Sequence, residues 1–329
     1  MQSPGTLRFR CGRISGDTAV KKIVIMGANA ARQKTLHFEK LLPGEVNRAC
    51  KMSEIASGKG INFCRAAGNW GKAQGVVIQF AGGENGKFLV DSLKNENLEN
   101  CTVNCSAPLR CCITCIDQTS GMTTELIEPS GAATAGECDE FVRLFNGELP
   151  SASGVAICGS LPDGTSPELY NRIATAASAK NLPLLLDLYK NVEPLLDLPE
   201  VTLKINREEL GKLTSCGEVC AGLKKLFTQT GVKIAAITDG AGKAFASDGK
   251  ILAVYTIPTL DKIANPIGCG DTASAVFFSE LLNGGDFVES FKLALGCASA
   301  NAESWVPAQF DPIRGNELAA KINVEIQHL

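Results

Sequence analysis

From Lys21 onward, short runs of branched apolar residues alternate with longer stretches in which apolar positions recur every three or four residues. The first run, Ile23-Val24-Ile25-Met26, stops at Gly27 and reads as a strand buried on both faces. After Gly58 the period changes. Ile61, Cys64, Ala67 and Gly68 fall at helical spacing, and Gly71 supplies a C-terminal stop. A strand over 75–80, a helix over 86–96 and strands over 101–105, 110–117 and 122–128 follow. From Gly131 the alternation is regular. Helices are expected near 137–146, 167–179, 217–229, 269–283, 286–302 and 316–323, with a short one after 187. Strands are expected over 154–158, 183–187, 201–206 and 233–238, and two shorter ones near 243–247 and 250–256. Strands separated by helices of about 10 to 15 residues are βαβ units, which build a mostly parallel sheet with helices on both faces.

Two segments break the rhythm. Residues 34–52 set Leu36, Phe38, Val46, Ala49 and Met52 among charges around Pro43-Gly44, and residues 107–128 carry consecutive strands. Both read as parts of a small β lid on an α/β body. Residues 1–20 show no period and read as an N-terminal extension; residues 21–329 read as one domain. In such a body, ligands bind beyond the carboxyl ends of the parallel strands. That directs interest to Asn29, Gly159-Ser160, Asp187, Asn206 and Thr238-Asp239-Gly240.

Composition narrows the chemistry. The 329 residues carry 32 Lys and Arg against 35 Asp and Glu, a formal charge of −3. That leaves no basic excess for a phosphate backbone, so nucleic acid is not the expected partner. Only two histidines are present, His37 and His328. A multi-histidine zinc site is excluded, and a Ser-His-Asp machine would rest on His37 alone. The 14 cysteines are scattered through apolar segments of a long chain, which reads as free thiols in a reducing compartment. The cluster Cys105, Cys111, Cys112 and Cys115 lacks paired C-x2-C spacing, and no metal site is expected there. The four-residue apolar run after Lys22 is too short for a signal peptide, and no apolar run is long enough to span a membrane. The expected location is the cytoplasm.

Two glycine-rich stretches carry the candidate chemistry. In Asn265-Pro266-Ile267-Gly268-Cys269-Gly270-Asp271, glycines precede an apolar helix and a carboxylate follows at once. Backbone N–H groups at a helix N-terminus, with the helix dipole, suit an anion such as a transferring phosphoryl group. Asp271 can take a proton from an attacking hydroxyl, or it can simply cap the helix. In Ser57-Gly58-Lys59-Gly60-Ile61-Asn62, glycines open a helix beside a cation and an amide. Lys59 either meets a substrate phosphate or is a solvated lysine at a turn. The stretch is not a Walker A loop, and no G-x-G-x-x-G opens the chain.

Taken together these stretches resemble the signatures of the PfkB/ribokinase superfamily of carbohydrate kinases. Gly159-Ser160-Leu161-Pro162, Asn206-Arg207-Glu208-Glu209 and Thr238-Asp239-Gly240-Ala241-Gly242 fall in order between them. Pro43-Gly44-Glu45-Val46-Asn47-Arg48 and Thr123-Thr124-Glu125-Leu126 look most like the 1-phosphofructokinase and tagatose-6-phosphate kinase branch. The resemblance implies a ribokinase-like three-layer α/β body with a β lid, which in many relatives clasps a homodimer. It implies phosphorylation of a sugar phosphate by ATP with Mg²⁺. Asp271 then aligns with the general base, and Gly268, Cys269 and Gly270 with the anion hole. Asn29, Gly58, Lys59, Asn62, Arg110 and Ser160 align with the acceptor side, Lys59 and Arg110 holding its phosphate. Asn206 and Glu209 match the N-x-x-E motif that organises Mg²⁺ through water. Lys204, Thr238, Gly240 and Gly242 would follow the ATP phosphates, and Asn301 would lie near the adenine.

This chain departs from the family pattern on the acceptor side. The first strand is normally followed by Asn-Pro-x-x-Asp, whose aspartate binds sugar hydroxyls; here the stretch is Asn29-Ala30-Ala31-Arg32-Gln33. Ser57 replaces a glycine, Cys112 stands where sugar-phosphate kinases often place Asn, and Cys269 replaces the usual Ala in the anion hole. The reading that follows is an ATP-dependent kinase of a hexose phosphate. Its rivals are a kinase of a free sugar or nucleoside, and a sugar-binding protein that lost catalysis with the change to Gln33.

Overall fold

The computed structural model describes residues 20–329; apart from Val20, the extension expected over 1–20 lies outside the described residues. The first half runs β1 (Lys21–Met26), β2 (Ala31–Phe38), β3 (Lys51–Ser57), α1 (Lys59–Trp70), β4 (Ala73–Ala81), α2 (Gly83–Asn95), β5 (Asn100–Asn104), β6 (Cys111–Asp117), β7 (Thr123–Ile127) and α3 (Ala135–Glu148). It continues with β8 (Gly154–Cys158), α4 (Glu168–Ser178), β9 (Leu184–Asp187), β10 (Val201–Asn206), α5 (Arg207–Thr214), α6 (Val219–Gln229) and β11 (Ile234–Asp239). The chain ends with β12 (Lys243–Ser247), β13 (Ile251–Thr256), α7 (Cys269–Leu282), α8 (Phe287–Ala302), α9 (Pro312–Ala320) and β14 (Asn323–His328).

Ten strands form one sheet in the order β14-β13-β12-β11-β10-β9-β8-β1-β4-β5. The pairs from β11 to β5 are parallel, and the β11–β14 end is antiparallel. β1 shows why its apolar run is unbroken. Ile23 and Ile25 enter one core with α1, α7 and α8, while Val24 and Met26 enter the other with α3, α4 and α6. A central parallel strand is covered on both sides, so both of its faces are apolar. The three layers expected from the βαβ rhythm are therefore present. Among the described residues, no helix is long and apolar enough to cross a membrane, and every cysteine is free.

The lid is a four-stranded sheet in the order β3-β2-β6-β7. β3 runs on to Ser57, further than the polar sequence of Ser53 and Glu54 suggested. On one side Arg32 stacks 4.4 Å above Phe88 of α2 and pairs with Glu54 at 2.6 Å. On β2, His37 meets the ring of Trp305 edge-on at 5.0 Å between centroids. Lys51 Nζ lies 3.9 Å from the same ring.

Two elements had no counterpart in the sequence pattern. α5 buries only Leu210 and Thr214, so it carries no apolar stripe. Its signal is a capping box: Asn206 Oδ1 accepts from Glu209 N at 2.8 Å, and Asn206 N donates to Glu209 Oε2 at 2.9 Å. β14 is exposed along nearly all its length and exists by pairing antiparallel with β13. Its residues carry no buried face to read. α9 also starts earlier than its periodicity suggests, at Pro312, with Asp311 accepting from Ile313 N at 2.9 Å.

One close approach brings the two halves of the site together. A Cβ added at Gly60, in the first turn of α1, would overlap Gly27 Cα just past β1, and one at Gly27 would meet Gly60 Cα at 2.9 Å. Only two residues without Cβ allow the helix to start this near the strand end. Gly60→Ala is therefore expected to lower the unfolding free energy in urea by about 1–3 kcal/mol. It should also displace Lys59 and Asn62, so that ATP turnover falls with stability.

Candidate active site

The acceptor side is built on the loop after β1. Asn29 Nδ2 donates to Ser160 Oγ at 3.0 Å and to Leu161 O at 3.1 Å, and Arg110 Nη2 donates to Asn29 O at 3.2 Å. Arg110 Nε is buried without an acceptor among the described residues, which leaves the guanidinium with unused donor capacity. Gly58, at φ 126°, packs against Ala30 and Asn29. The Lys59 side chain lies against Gly159, next to Ser160. Asn29, Gly58, Lys59, Arg110 and Ser160 thus share one side of the body, and Asn29 and Arg110 line a cleft there with Gly82, Ser130 and Pro162. Gln33 sits in the base of the lid. Its Nε2 donates to Thr114 Oγ1 at 2.9 Å and to Lys34 O at 3.1 Å.

The centre lies where α1 faces α7. Gly268 adopts φ 80° at the entry to α7, which an L side chain rarely does. Thr272 N donates back to Gly268 O at 2.8 Å. The N–H groups of Gly270 and Asp271 have no acceptor among the described residues, so this helix N-terminus keeps free donors. Asn62 Nδ2 donates to Asp271 Oδ2 at 2.8 Å. Behind them Asp187, 1% exposed at the end of β9, takes Lys59 at 2.7 Å, Lys204 at 3.7 Å and the Ser274 hydroxyl at 2.6 Å. Lys204 Nζ also donates to Gly270 O at 3.1 Å. Lys204 therefore supports α7 from beneath rather than pointing into open space.

The charges respond to this crowding. Burial pushes the Asp187 carboxyl up, but Lys204 and Lys59 outweigh it and lower it to about 2. Burial and the charge of Asp187 hold Asp271 above the usual carboxylate range, partly offset by Lys59, Asn62 and Lys204. Burial disfavours the Lys59 ammonium, yet Asp187, Asp271 and Glu209 together raise its pKa. Burial pushes the Cys269 thiol up to about 11, so it is a neutral small side chain at neutral pH.

On the far side, Asn206 and Thr238 are paired neighbours at the ends of β10 and β11. Gly240, at φ 65°, and Gly242 form the hairpin into β12. Glu209 spends one oxygen in the capping box, and its charge adds to those that raise the Lys59 pKa. Asn301, 1% exposed, is a bracket beneath the helix entry. Its Nδ2 donates to Ile267 O at 2.9 Å and Cys269 Sγ at 3.2 Å, and its Oδ1 accepts from Ala308 N at 2.6 Å.

Such a body sets a carboxylate beside free helix N-terminal donors, with Lys59 and Lys204 gathered at the strand ends. The chain belongs to the family of pfkB carbohydrate kinases, whose model matches residues 21–306. It is an ATP-dependent carbohydrate kinase, and this family uses ATP with a divalent metal. Among solved structures it is similar to phosphofructokinase-2 from Escherichia coli in complex with potassium. That likeness has a TM-score of 0.81 at 20% identity, covering 91% of this chain and 98% of the other. It is also similar to a Thermotoga maritima protein described as a "possible 1-phosphofructokinase", with a TM-score of 0.78 at 18% identity, covering 94% and 99%. A carbohydrate kinase from Agrobacterium tumefaciens gives 0.71 at 17% identity, covering 93% and 100%.

Sequence reasoning singled out Asp187 only by its place at a strand end, without a role, and did not single out Ser274. A lone carboxylate closing the run Leu184-Leu185-Leu186 was the available signal for the first; the second had none. Asp187→Asn strips the buried negative charge that faces the buried Lys204 and the part-exposed Lys59. It is expected to cost about 3–5 kcal/mol in denaturant unfolding, while Ser274→Ala, which removes one hydrogen bond, should cost about 1 kcal/mol.

Proposed function

We propose that this enzyme transfers the γ-phosphoryl group of ATP to a hydroxyl of a hexose phosphate, of the fructose 1-phosphate or tagatose 6-phosphate type, with Asp271 as general base. The observation that carries the reading is the Asn62–Asp271 hydrogen bond. It turns the carboxylate across the mouth of the helix entry while the N–H groups of Gly270 and Asp271 stay free. Asp271 takes the proton of the acceptor hydroxyl. The oxygen left behind bonds to the γ-phosphorus as its bond to the ADP oxygen breaks, and the free N–H groups meet the charge on the equatorial oxygens. The raised pKa of Asp271 makes it a better proton acceptor than an ordinary aspartate.

Glu209 suits a divalent ion held through water: it has one carboxylate oxygen outside the capping box. Mg²⁺ keeps several of its waters and needs only one or two carboxylates beside the nucleotide phosphates. When bound, the ion neutralises phosphate charge. Asn206, Thr238, Gly240 and Gly242 line the same side and are read as the nucleotide edge.

Arg110, with its unused donor, is read as the phosphate anchor of the acceptor, since a guanidinium matches a phosphate bidentately. One observation favours the free-sugar reading instead: Lys59 already has Asp187 as its partner. Gln33 does not by itself argue against catalysis. Both donors of its amide are used within the lid, so the carbonyl oxygen is what remains for a sugar hydroxyl. The lid leaves Met52, Leu126 and Ile127 more than half exposed, and we read it as the clasp of a homodimer.

ADP release with fructose 1-phosphate, tagatose 6-phosphate, fructose 6-phosphate and free sugars tests the assignment. Turnover is expected with a phosphorylated hexose and should be inhibited competitively by inorganic phosphate. Free-sugar turnover insensitive to phosphate, or binding without turnover across the panel, would overturn it. Asp271→Asn should reduce turnover to background while Mg-ATP still raises Tm. Because the base works only when ionised and its pKa is raised, kcat should fall on the acid side at a pH above that of an ordinary aspartate. Arg110→Met should raise KM for the sugar phosphate about 10- to 100-fold with KM for ATP unchanged.

A further inference from the structure

We propose that Arg65 is a positioning residue for the catalytic carboxylate: it fixes the Asn62 amide so that N–H, and not C=O, faces Asp271. The inference rests on Asp271 being the base and adds the residue that aims it.

Arg65 follows Asn62 by three positions on α1, on the same face of the helix. It is 4% exposed, and a guanidinium so deep must have its donors used. Nε donates to Glu96 Oε2 at 2.6 Å and Nη2 to Glu96 Oε1 at 3.1 Å, a two-pronged fork. Nη2 also donates to Ala56 O at 2.9 Å, at the end of lid strand β3. Nη1 donates to Asn62 Oδ1 at 3.0 Å and to Pro307 O at 3.3 Å.

The two ends of an amide are nearly equal in size, so space does not choose between them. Hydrogen-bond identity does. With Arg65 Nη1 on Oδ1, Nδ2 is left facing Asp271. The flipped amide would set two acceptors face to face at Asp271 and two sets of donors face to face at Arg65. The Ser57 hydroxyl, 3.4 Å from Asn62 Oδ1, reinforces the same choice. Asp271 Oδ2 is thereby occupied, and Oδ1 is the oxygen that receives the acceptor's proton. The fork onto Glu96 fixes the plane of the guanidinium, which a lysine at 65 would not do.

The charged and titratable groups around Asp271 are Asp187, Lys59, Lys204, Cys158 and Cys269. Those around Arg65 are Glu96, Glu99 and Cys64. None of these replaces the Asn62 donor, so loss of its orientation is expected to move the titration of Asp271 upward.

The test uses Arg65→Lys, Asn62→Ala and the double variant. The readouts are turnover with Mg-ATP and fructose 1-phosphate, and the carboxyl titration of Asp271 by ¹³C NMR in aspartate-labelled protein, assigned with Asp271→Asn. Arg65→Lys should lower kcat about 10- to 100-fold with KM for ATP within about threefold, and shift the Asp271 titration up by about one pH unit. In the Asn62→Ala background the same change should cost less than about threefold and shift nothing further. Glu96→Gln, an isosteric change that loosens the fork without removing the cation, should act in the same direction but less. It carries the test if Arg65→Lys fails to fold. An Asp271 titration that matches the unaltered enzyme in the folded variant, or an equal loss in both Asn62 backgrounds, would overturn the role of Arg65. Turnover surviving Asp271→Asn would instead overturn the base assignment itself.

Discussion

The site is organised around one buried carboxylate. Asp187 stands at the end of β9 between Lys59 and Lys204, and it also receives Ser274 from α7. The buried Lys204 ammonium is tolerable at such depth only with a charged partner, and Lys59 reaches the same carboxylate from the part-exposed side. That partner fixes both lysines: one rises along Gly159 toward the acceptor side, and the other reaches under α7 to Gly270 O. Asp187 therefore sets the height of the helix entry as well as the position of the cation above it. At an effective dielectric constant of about 20, charges about 4 Å apart interact by about 4 kcal/mol. Each member of this group therefore responds to the ionisation of the others. Asp271 has the raised pKa of a buried carboxyl beside a second negative charge, partly offset by Lys59, Asn62 and Lys204.

α1 distributes this order along its length. Lys59, Asn62 and Arg65 stand three apart on one helical face, and each meets a different partner: Asp187, Asp271 and Glu96. The spacing is local, but its use depends on the contact between Gly27 and Gly60, which seats the helix against the strand end. The same guanidinium that closes the series holds Ala56 of the lid and Pro307 behind Gly268. Lid, helix entry and base are mechanically one unit.

Much of this was legible in the sequence because it is local. Continuous apolar runs marked the parallel strands, and glycines beside a carboxylate or a lysine marked both helix entries. What escaped depends on partners distant in the chain. Asp187 and Ser274 are 87 residues apart, and nothing in either neighbourhood announces the other. α5 was hidden because Asn206 and Glu209 were read for their chemistry alone, although the same spacing is a capping box that starts a helix. β14 has no buried face and takes its identity from β13. Lys204 and Asn301 carry polar groups that suit a nucleotide on paper; in the fold, both are buried and committed to the backbone beneath α7.

The departures from the family pattern acquire a common sense once placed. Arg32 leaves the acceptor cleft to stack on Phe88 and pair with Glu54. Ser57 adds a hydroxyl beside Asn62 Oδ1, and the Cys269 sulfur accepts a hydrogen bond from Asn301. These two changes brace the Asn62 amide and the entry to α7. Only Gln33 and Cys112, adjacent across β2 and β6, alter what the lid offers a sugar. A neutral amide offers one acceptor oxygen there where a carboxylate would offer two and a charge. On the proposed reading the acceptor is then held more by its phosphate, with Arg110, directly after which β6 begins, as the anchor, and less by its hydroxyl pattern. A kinase so altered would trade stereochemical selection for recognition of the phosphate.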